Sequence, residues 1–600
     1  SDQYHTEEVI IDTTTTTWSN VTVSKDGKTL VFDMLGDIYS VPVTGGEAKA
    51  LTSGIEWNYQ PTFSPDGSQI AFVSDRAGGD NLWVMNADGS EPHAITDEAE
   101  HLVHNPAWSP DGQFLVGRKG YYSTRSIAAG EIWMFHHGGG NGVNLIARPN
   151  AENDQKNRAE PVFSVDGKYV YYSTDITPGT VWQYNKDSVG SVFAIKRLEL
   201  ATGETTTVVS GPGGAIRPAP SPDGKSLAYL KRRPGLVTQL MVKDMESGLE
   251  RLVFDGFERD LQESSGSEGN APSFAWMPDG SSIAFWTAGK FHRVDVDSGE
   301  ASEIPVRIKA VKKVRPALRN KVKVAADEFE VNGIRWAAHT PDKQKVVFQA
   351  LGYIYVRDLS SGKQQRLTRQ TDHYEFYPVI SPDGRSVLYT TWDDSEFGSV
   401  RIASLKSGKS RVLTNQPGHY AEPAFSTDGG QVVYRKFEGG YLLSPLWSLN
   451  PGIYRVAADG KSAPRLVSRK GAFPHFNADA SRVFFTTNTG KRGTELLLSS
   501  VNLEGNDKRD HLQGAKATRF LVSPDERWVA FTENFKTYLA PFFSNGKTIT
   551  ISGKTSEFSV AQVAARSTEF LHWSADSRSI DWSHGRHLYS RDLNQAFAFL

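Results

Sequence analysis

Short apolar segments occur in pairs along the whole chain, and a polar turn resembling Ser-Pro-Asp-Gly joins the two members of each pair. The clearest turns are Ser64–Gly67, Ser109–Gly112 and Ser381–Gly384. Weaker copies place the turn aspartate at positions 26, 166, 223, 279, 342, 428, 479, 525 and 576. Proline presets φ in such a turn, aspartate accepts hydrogen bonds from nearby backbone N–H groups, and glycine takes a positive φ. Each copy therefore predicts a hairpin of two antiparallel strands.

A second turn follows about 20 residues later in most copies, as at Asn86–Gly89 and Asp297–Gly299. Each repeat thus holds four antiparallel strands, a pattern typical of the blades of a β-propeller. A solenoid of helices is the competing repeat class, but the aromatic and β-branched segments show no 3.6-residue period. Twelve repeats exceed the four to eight blades of one propeller. The fold class we predict is all-β, with two tandem six-bladed β-propellers of four-stranded blades.

The widest spacing between turn aspartates, 63 residues, separates Asp279 from Asp342 and contains the basic segment Lys309–Arg315. We place the boundary there, which gives a first propeller at residues 1–310, a linker at 311–330 and a second propeller at 331–600. Near the start of the chain, Val9–Asp12 forms a short apolar segment before the first repeat. It predicts a strand that closes one of the two rings, and the pattern leaves open which one.

Composition narrows the functional classes. The net charge of −3 comes without a long charge run, which gives no support for a nucleic-acid or anionic-membrane surface. No apolar stretch approaches the length of a membrane span. The chain has no cysteine, which excludes disulfides, thiolate catalysis and Cys-ligated zinc and fits an oxidising compartment. We expect a periplasmic or secreted protein whose signal peptide has been removed.

Alternating strand directions sort the loops onto two faces, and one face carries all of the long insertions. These are Lys119–Gly130, Thr174–Gly190 and Arg435–Gly452. Because binding usually resides on loops held by a rigid scaffold, we expect the ligand site on this insertion face. The residues just ahead of each first strand should surround the channel mouth there. The ligand-binding candidates are Tyr59, His104, Arg158, Glu160, Arg217, His373, Tyr374, His419 and Tyr420, with Trp57, His101, His475 and Arg519 in equivalent positions.

Within the first ring, Tyr59, His104, Arg158 and Arg217 combine positive charge with an aromatic surface. This combination favours a carboxylate ligand, such as a peptide C-terminus or an acidic sugar. The alternative interpretation is that most of these residues are ordinary loop or strand-end residues that fill the space between blades.

Motifs for catalysis and metal binding are incomplete. His101 and His104, like His584 and His587, are three apart, but a zinc site needs three or four ligands. We interpret the second pair as part of one strand, where such positions face opposite sides. The sequence contains no Gly-x-Ser-x-Gly nucleophile elbow, phosphate loop or dinucleotide fingerprint. We therefore expect no catalytic residue, no metal and no cofactor in this chain.

The repeats resemble TolB-like propeller repeats, also called WD40-like or PD40 repeats. The resemblance lies in Ser64–Phe72 and Leu82–Gly89 and extends over nearly the whole chain. Leu30–Pro42 and Ile580–Tyr589 also resemble the ends of the propeller region in large secreted bacterial proteins of the amidohydrolase superfamily. In those proteins about a dozen such blades precede a metal-dependent hydrolase barrel. A zinc-like divalent metal is then expected only in a catalytic domain that this chain does not contain.

Three functions follow from these resemblances. The first is a non-catalytic propeller region that binds or filters substrate for a downstream or separate hydrolase domain. The second is a TolB-like periplasmic scaffold that acts through protein partners. The third is a stand-alone propeller enzyme similar to the oligogalacturonate lyases.

Overall fold

The computed structural model describes residues 5–121, 129–148, 155–180, 191–233, 237–257, 271–316, 318–320, 322–438, 448–490 and 493–598. They form two compact units, the first made of the described residues up to 322 and the second of those from 323 onwards. Each unit contains six β-sheets in chain order. The predicted architecture, two tandem six-bladed β-propellers, is confirmed.

The first unit contains sheets 1 to 6 and the strands β1 to β26. The strands of sheets 1 to 3 are β1 (Glu7–Thr13), β2 (Val21–Val23), β3 (Thr29–Met34), β4 (Asp37–Pro42), β5 (Gly46–Ala50), β6 (Asn58–Phe63), β7 (Gln69–Ser74), β8 (Asn81–Asn86), β9 (His93–Ala94), β10 (Leu102–Trp108), β11 (Phe114–Tyr121), β12 (Ala129–His136) and β13 (Val143–Ile146). The strands of sheets 4 to 6 are β14 (Arg158–Phe163), β15 (Tyr169–Asp175), β16 (Phe193–Glu199), β17 (Thr205–Val209), β18 (Ile216–Pro220), β19 (Ser226–Arg233), β20 (Val237–Asp244), β21 (Glu250–Phe254), β22 (Ala275–Trp276), β23 (Ser282–Thr287), β24 (Lys290–Asp295) and β25 (Ala301–Ile304), followed by β26 (Val306–Val314).

The second unit contains sheets 7 to 12. Sheets 7 to 9 consist of β27 (Arg335–His339), β28 (Lys345–Ala350), β29 (Tyr353–Asp358), β30 (Gln364–Arg366), β31 (Tyr374–Ile380), β32 (Ser386–Trp392), β33 (Val400–Ser404), β34 (Ser410–Val412), β35 (His419–Phe425), β36 (Gln431–Phe437), β37 (Gly452–Ala457) and β38 (Arg465–Ser468). Sheets 10 to 12 consist of β39 (Ala472–Phe476), β40 (Arg482–Thr489), β41 (Glu495–Asn502), β42 (Arg509–Ala515), β43 (Ala517–Val522), β44 (Trp528–Glu533), β45 (Lys536–Pro541), β46 (Ile549–Thr550), β47 (Ala561–Gln562), β48 (Glu569–Trp573), β49 (Ser579–His584) and β50 (His587–Asp592), and the helix α1 (Leu593–Ala596) follows.

In most sheets successive strands are neighbours, so the first strand of each repeat is innermost and the last is outermost. The exceptions are β26 and β1, which lie beyond β5 in sheet 1, β46, which lies beside β42 in sheet 10, and β47, which lies beside β45 in sheet 11. The core lies between adjacent sheets. For example, Val73 and Leu82 of sheet 2 pack with Val103 and Leu115 of sheet 3, and all four are fully buried. Because every sheet covers its neighbour in this way, the apolar side chains of the middle strands are buried on both faces of the blade.

The last sheet of each unit contacts the first. In unit 1, the Trp286 indole N–H donates to Thr16 Oγ1 over 2.9 Å. In unit 2, the His339 backbone N–H donates to the Asp581 carboxylate over 3.0 Å. Unit 1 has a further connection, because β26 leaves sheet 6 and pairs in parallel with β5, the outer strand of sheet 1. The predicted strand around Val9 is β1, which pairs antiparallel with β26.

The linker differs from its predicted bounds. We expected a linker from residue 311, but β26 continues to Val314. Within the basic segment Lys309 and Lys313 are exposed, whereas Lys312 is buried and pairs with Asp37 at 2.8 Å. The twelfth sheet also differs from the four-stranded pattern. Among the described residues it contains three strands, β48 to β50.

The repeated turn has the predicted chemistry. At Asp66, the carboxylate Oδ1 accepts the Ser64 hydroxyl at 2.6 Å and the Ser68 backbone N–H at 3.0 Å, and Gly67 has a φ of 80°. These hydrogen bonds lower the pKa of Asp66 to about 2, and the bond from Ser64 is the largest cause. The aspartates are therefore structural parts of the hairpin.

This geometry predicts acid sensitivity. Eleven turn aspartates have a pKa below the ordinary value, because serine or threonine hydroxyls and backbone N–H groups donate to them. A carboxyl with a lower pKa in the folded state stabilises the fold above its unfolded pKa near 4, and loses this contribution as the pH falls. We expect the denaturation midpoint of D66N to fall less between pH 5 and pH 2.5 than that of the wild type. Equal pH slopes would contradict the assignment.

Candidate functional site

The residue six positions before each turn aspartate lines a cavity bordered by the first strands of all six sheets of its unit. We call these twelve positions the channel residues. In unit 1 they are Asn20, Gln60, Asn105, Glu160, Arg217 and Ser273, around a cavity of about 250 Å³. In unit 2 they are Trp336, Tyr377, Glu422, Phe473, Arg519 and Phe570, around a cavity of about 340 Å³.

A local backbone feature turns these side chains inwards. Nine channel residues have a positive φ between 47° and 58°, as in Gln60 and Glu160. Seven channel residues precede a proline, as Gln60 precedes Pro61. Proline in a strand is tolerated at an edge or a bulge, and the pairing register shifts here, for example between Tyr59 and Thr62. The bulge presents one side chain per blade to the channel, at the cost of a strained conformation of the kind found at functional sites.

Hydrogen bonds between neighbouring sheets connect the channel residues of unit 1. Gln60 Oε1 accepts the Asn105 backbone N–H at 2.7 Å, and Asn105 Oδ1 accepts that of Glu160 at 3.4 Å. Glu160 Oε2 accepts the Arg217 backbone N–H at 2.7 Å, and the Arg217 guanidinium lies 3.4 Å from Glu160 Oε1. Asn20 completes the series, because its Oδ1 accepts the Ser273 backbone N–H at 2.9 Å. The polar groups of this girdle therefore satisfy one another and hold adjacent blades together.

The channel of unit 2 is built from different side chains. Trp336 packs on Tyr377 with ring centroids 4.3 Å apart, and the edge of Phe570 meets Trp336 at 5.1 Å. The Arg519 guanidinium lies 4.9 Å from the centre of the Phe473 ring. Aromatic rings cannot accept the backbone N–H of the next blade as the amides of unit 1 do. The channel of unit 2 therefore presents half-buried aromatic faces around the Arg519 guanidinium.

The two charged channel residues of unit 2 differ in how they are paired. Glu422 accepts the Phe473 backbone N–H at 2.6 Å and the Arg435 guanidinium at 3.2 Å, which neutralises its charge. Arg519 donates to the Leu571 carbonyl at 3.4 Å, and its buried Nε has no hydrogen-bond partner in the described part of the chain. Burial lowers the pKa of Arg519, although Glu422 and Tyr377 oppose the shift. The guanidinium keeps its charge and retains donor capacity towards the cavity.

His475 also lines this cavity, and its hydrogen bonds fix its tautomer. Its Nε2 accepts the Val522 backbone N–H at 3.1 Å, while Nδ1 lies 3.0 Å from the Phe473 carbonyl, to which it donates. Burial lowers the pKa of His475 to about 4, and burial likewise lowers the pKa of His419 and of His511 to about 4. These three imidazoles are neutral in the folded unit at neutral pH.

The stability of unit 2 should therefore depend on pH. Between the ordinary histidine pKa near 6.5 and a pH of about 4, the unfolded chain binds more protons than the folded unit. The free energy of unfolding must decrease as the pH falls through this window. Urea unfolding at pH 7, 6, 5 and 4.5 should show the midpoint moving down, and a constant midpoint over this range would exclude buried neutral imidazoles.

The structure places the predicted ligand residues of unit 1 in buried networks. Glu160 and Arg217 are channel residues in the girdle. Tyr59 and His104 are buried, and both contact the carboxylate of Asp80 at 3.1 Å. Arg158 is buried as well, with its guanidinium at the Lys156 carbonyl. Their proposed role as a carboxylate site stays a prediction, but the geometry gives them structural contacts.

The predicted residues of unit 2 are divided between the surface and the sheets. Tyr374 is 53% exposed, whereas His373 and Tyr420 are buried. His419 packs against Trp392 with ring centroids 4.1 Å apart. Of the further candidates, His475 and Arg519 line the cavity, Trp57 is 46% exposed, and His101 packs on Tyr121 with ring centroids 4.3 Å apart.

Sequence analysis missed nine channel residues, which are Asn20, Gln60, Asn105, Ser273, Trp336, Tyr377, Glu422, Phe473 and Phe570. A signal was present for five of them, because a proline stands five residues before the turn aspartate in seven repeats, at 61, 106, 161, 218, 378, 423 and 474. A proline inside a strand indicates a bulge. The residue before each such proline was therefore a better candidate for the channel than the residues that we chose.

The cavity of unit 2 extends from the channel residues towards the Asp-Gly turns, since Pro341, Ser381, Thr427, Pro524 and Asp576 line it. We had expected the ligand site on the insertion face. Much of the three insertions, at 122–128, 181–190 and 439–447, lies outside the described residues, so binding on that face stays a prediction.

The two histidine pairs do not form a metal cage. His584 ends β49 and His587 begins β50, so they face each other across a hairpin, and our interpretation of a single strand was wrong. The glycine at 585 supplies the turn with a φ of 57°. No group of three or more potential metal ligands occurs among the residues that the structure describes. Within the same residues, no helix is long and apolar enough to cross a membrane.

Comparison with known proteins agrees with the fold. Residues 17–136 match the family described as PD40, TolB beta propeller domain. This part of the chain is therefore similar to a TolB-like β-propeller domain.

Among curated relatives, the chain is 30% identical over 191 residues to "Uncharacterized peptidase YuxL" of Bacillus subtilis, which covers 32% of this chain and 23% of that protein. It is 28% identical over 172 residues to "Protein TolB homolog" of Chlorobium chlorochromatii, covering 28% of this chain and 32% of that protein. The chain therefore spans between about a quarter and a third of the length of these relatives. Among solved structures, the tricorn protease is similar over 98% of this chain and 61% of its own, with 12% identity and a TM-score of 0.41.

Proposed function

We propose that this chain is the ligand-binding propeller region of a periplasmic or secreted amidohydrolase-like enzyme, and that the channel of unit 2 holds the ligand. The observation that carries the proposal is the contrast between the two channels. In unit 1 the polar channel residues hydrogen-bond to one another, whereas in unit 2 aromatic faces and a cation with free donor capacity line the channel. Concave, mostly apolar cavities with few polar groups are the usual form of a ligand site.

The chemistry of the channel selects a ligand with a carboxylate beside an apolar or aromatic group. A guanidinium presents a planar fork of N–H donors that matches a carboxylate, and charge-assisted bonds of this kind are the stronger ones. Trp336, Tyr377 and Phe570 offer surfaces for the apolar group. Of the carboxylates in the lining, Glu422 pairs with Arg435, Asp581 accepts hydrogen bonds from His339, and Asp576 accepts one from Ser574 within its own turn. A peptide C-terminus fits, and an acidic sugar is the alternative.

The catalytic partner is the second part of the proposal. We infer a metal-dependent hydrolase, with a zinc-like ion of its own, either downstream or on a separate chain. The relative named as a peptidase supports a hydrolase. The absence of cysteine supports an oxidising compartment. Measuring the intact mass and metal content of the natural protein tests this part, and a metal-free natural protein ending at Leu600 with no hydrolase chain beside it would refute it.

The match to the TolB beta propeller domain favours a second candidate, a periplasmic scaffold for protein partners. The size of the bound partner distinguishes the scaffold from the ligand-binding propeller region. A scaffold holds a folded partner by a large surface, whereas the channel of unit 2 has room for a short segment or a small molecule.

The binding test uses N-acetyl-Phe-Phe with a free carboxylate and the same dipeptide as its C-terminal amide. The two differ in the charge that Arg519 would recognise. We expect calorimetric titration of the chain to show at least tenfold tighter binding of the carboxylate, with higher affinity at low salt. Equal affinities would refute carboxylate recognition, and no detectable binding of either would refute the channel as a peptide site.

A further inference from the structure

The outer edge of the twelfth sheet is open in the described structure. Strand β50 pairs with β49 on one side and with no described strand on the other. His587, Tyr589 and Ser590 on this strand are exposed. An edge strand presents a row of unpaired backbone N–H and C=O groups, which is a template for a further strand.

Comparison with unit 1 shows what the open edge lacks. There, the last sheet has the outer strand β25, and its Ile304 is buried in the core shared with Phe32 and Tyr39 of the first sheet. The corresponding space in unit 2 is a groove of about 440 Å³. Its lining includes Phe348 of β28 and Leu588 of β50.

The segment that precedes sheet 7 has the composition of a strand for this groove. In Val324–Val331 the side chains of Val324 and Phe329 are 98% and 69% exposed, and the acidic residues Asp327, Glu328 and Glu330 lie around them. A large apolar side chain left in water next to an unfilled apolar groove is unfavourable for both surfaces. Exposed Phe329 is thus the natural candidate to fill it.

The same segment is already attached to one end of β50. The Ile334 backbone N–H donates to the Gly585 carbonyl over 2.9 Å, and Glu330 pairs with Arg586 at 2.5 Å. From this attachment the segment can lie beside β50 and run in the opposite direction. Every other outer strand that pairs within its own repeat is antiparallel in the same way. The attachment also raises the effective concentration of the segment at the edge.

We propose that residues 325–331 dock on β50 as the fourth, antiparallel strand of the twelfth sheet. Val331 and Arg586 both line the groove, and placing them opposite each other sets the register. Phe329 then lies opposite Leu588 and points into the groove, and Asp327 lies opposite Ser590. Residues directly opposite each other in an antiparallel pair share a face of the sheet, so Glu328 points to the other face. Arg357 and Arg586 on the groove complement the acidic character of the strand.

The absence of native cysteine makes cross-linking a clean test. The double variant F329C/L588C places two thiols opposite each other in the docked strand, whereas E328C/L588C places them on opposite faces. With oxidised glutathione as oxidant, we expect an intramolecular disulfide in the first variant and at least tenfold slower formation in the second. Equal rates, no disulfide in the first variant, or disulfides formed only between two chains would each overturn the proposal.

A second measurement does not depend on engineered thiols. The variant F329S removes the side chain that fills the groove, and L318S removes an apolar side chain that is fully exposed and lies outside the docked segment. Docking predicts that F329S lowers the melting temperature of unit 2 by about 3 °C or more, while L318S leaves it within about 1 °C. Equal melting temperatures for the two variants would show that Phe329 stays in solvent.

Discussion

R519A should weaken binding of the carboxylate dipeptide by about 30-fold and leave binding of the amide unchanged. A hydrogen bond to a charged group contributes about 2 kcal/mol, which corresponds to this factor. The fold should survive, because Arg519 donates one long bond to the Leu571 carbonyl and Glu422 keeps its pairing with Arg435. R519K keeps the charge but loses the planar fork, so we expect an intermediate affinity.

The matched control is R465A. Arg465 is exposed and lies on β38, the outer strand of its sheet, at the opposite edge from the channel. Calorimetric titration of all variants with both dipeptides separates recognition from general charge effects. If R519A and R465A bind the carboxylate equally well, the channel of unit 2 is not the carboxylate site.

E160A should lower the free energy of unfolding of unit 1 by about 3–5 kcal/mol, the range for breaking a buried ion pair from one side. The Glu160 side chain is 3% exposed and accepts both the Arg217 backbone N–H and the Ser173 hydroxyl, the latter at 2.6 Å. Alanine leaves the Arg217 guanidinium in a buried site without this carboxylate. E160Q retains an acceptor and should lose less stability.

Unfolding in guanidinium chloride, with two resolved transitions of which one belongs to each unit, measures this loss of stability. The control E303A removes the partner of Lys290 in a surface pair whose side chains are 45% and 43% exposed. Surface pairs contribute about 1 kcal/mol or less, so its midpoint should hardly move. If E160A were as stable as E303A, the girdle would not be a structural element, and Glu160 would be free to act as the ligand residue that the sequence suggests.

The sequence by itself determined the number, order and type of the blades. Turn chemistry is local: Ser64, Asp66 and Gly67 interact within a few residues, so each hairpin can be recognised without its neighbours. From the spacing of the turns we also predicted a linker between the units at residues 311–330. The β26 strand was missed, because it lies outside the repeat pattern and its partner β5 is more than 250 residues away.

Only the tertiary structure decided which side chains meet in the channels. A one-residue change of register at a bulge moves a side chain from the channel into the sheet, which is why Tyr59 is buried and Gln60 lines the cavity. The contrast between the girdle of unit 1 and the aromatic channel of unit 2 depends on contacts between blades roughly 40 to 60 residues apart. Such contacts exist only once the six sheets have packed against one another. The strand prolines mark channel positions in the sequence, but they do not show which side chains of other blades these positions meet.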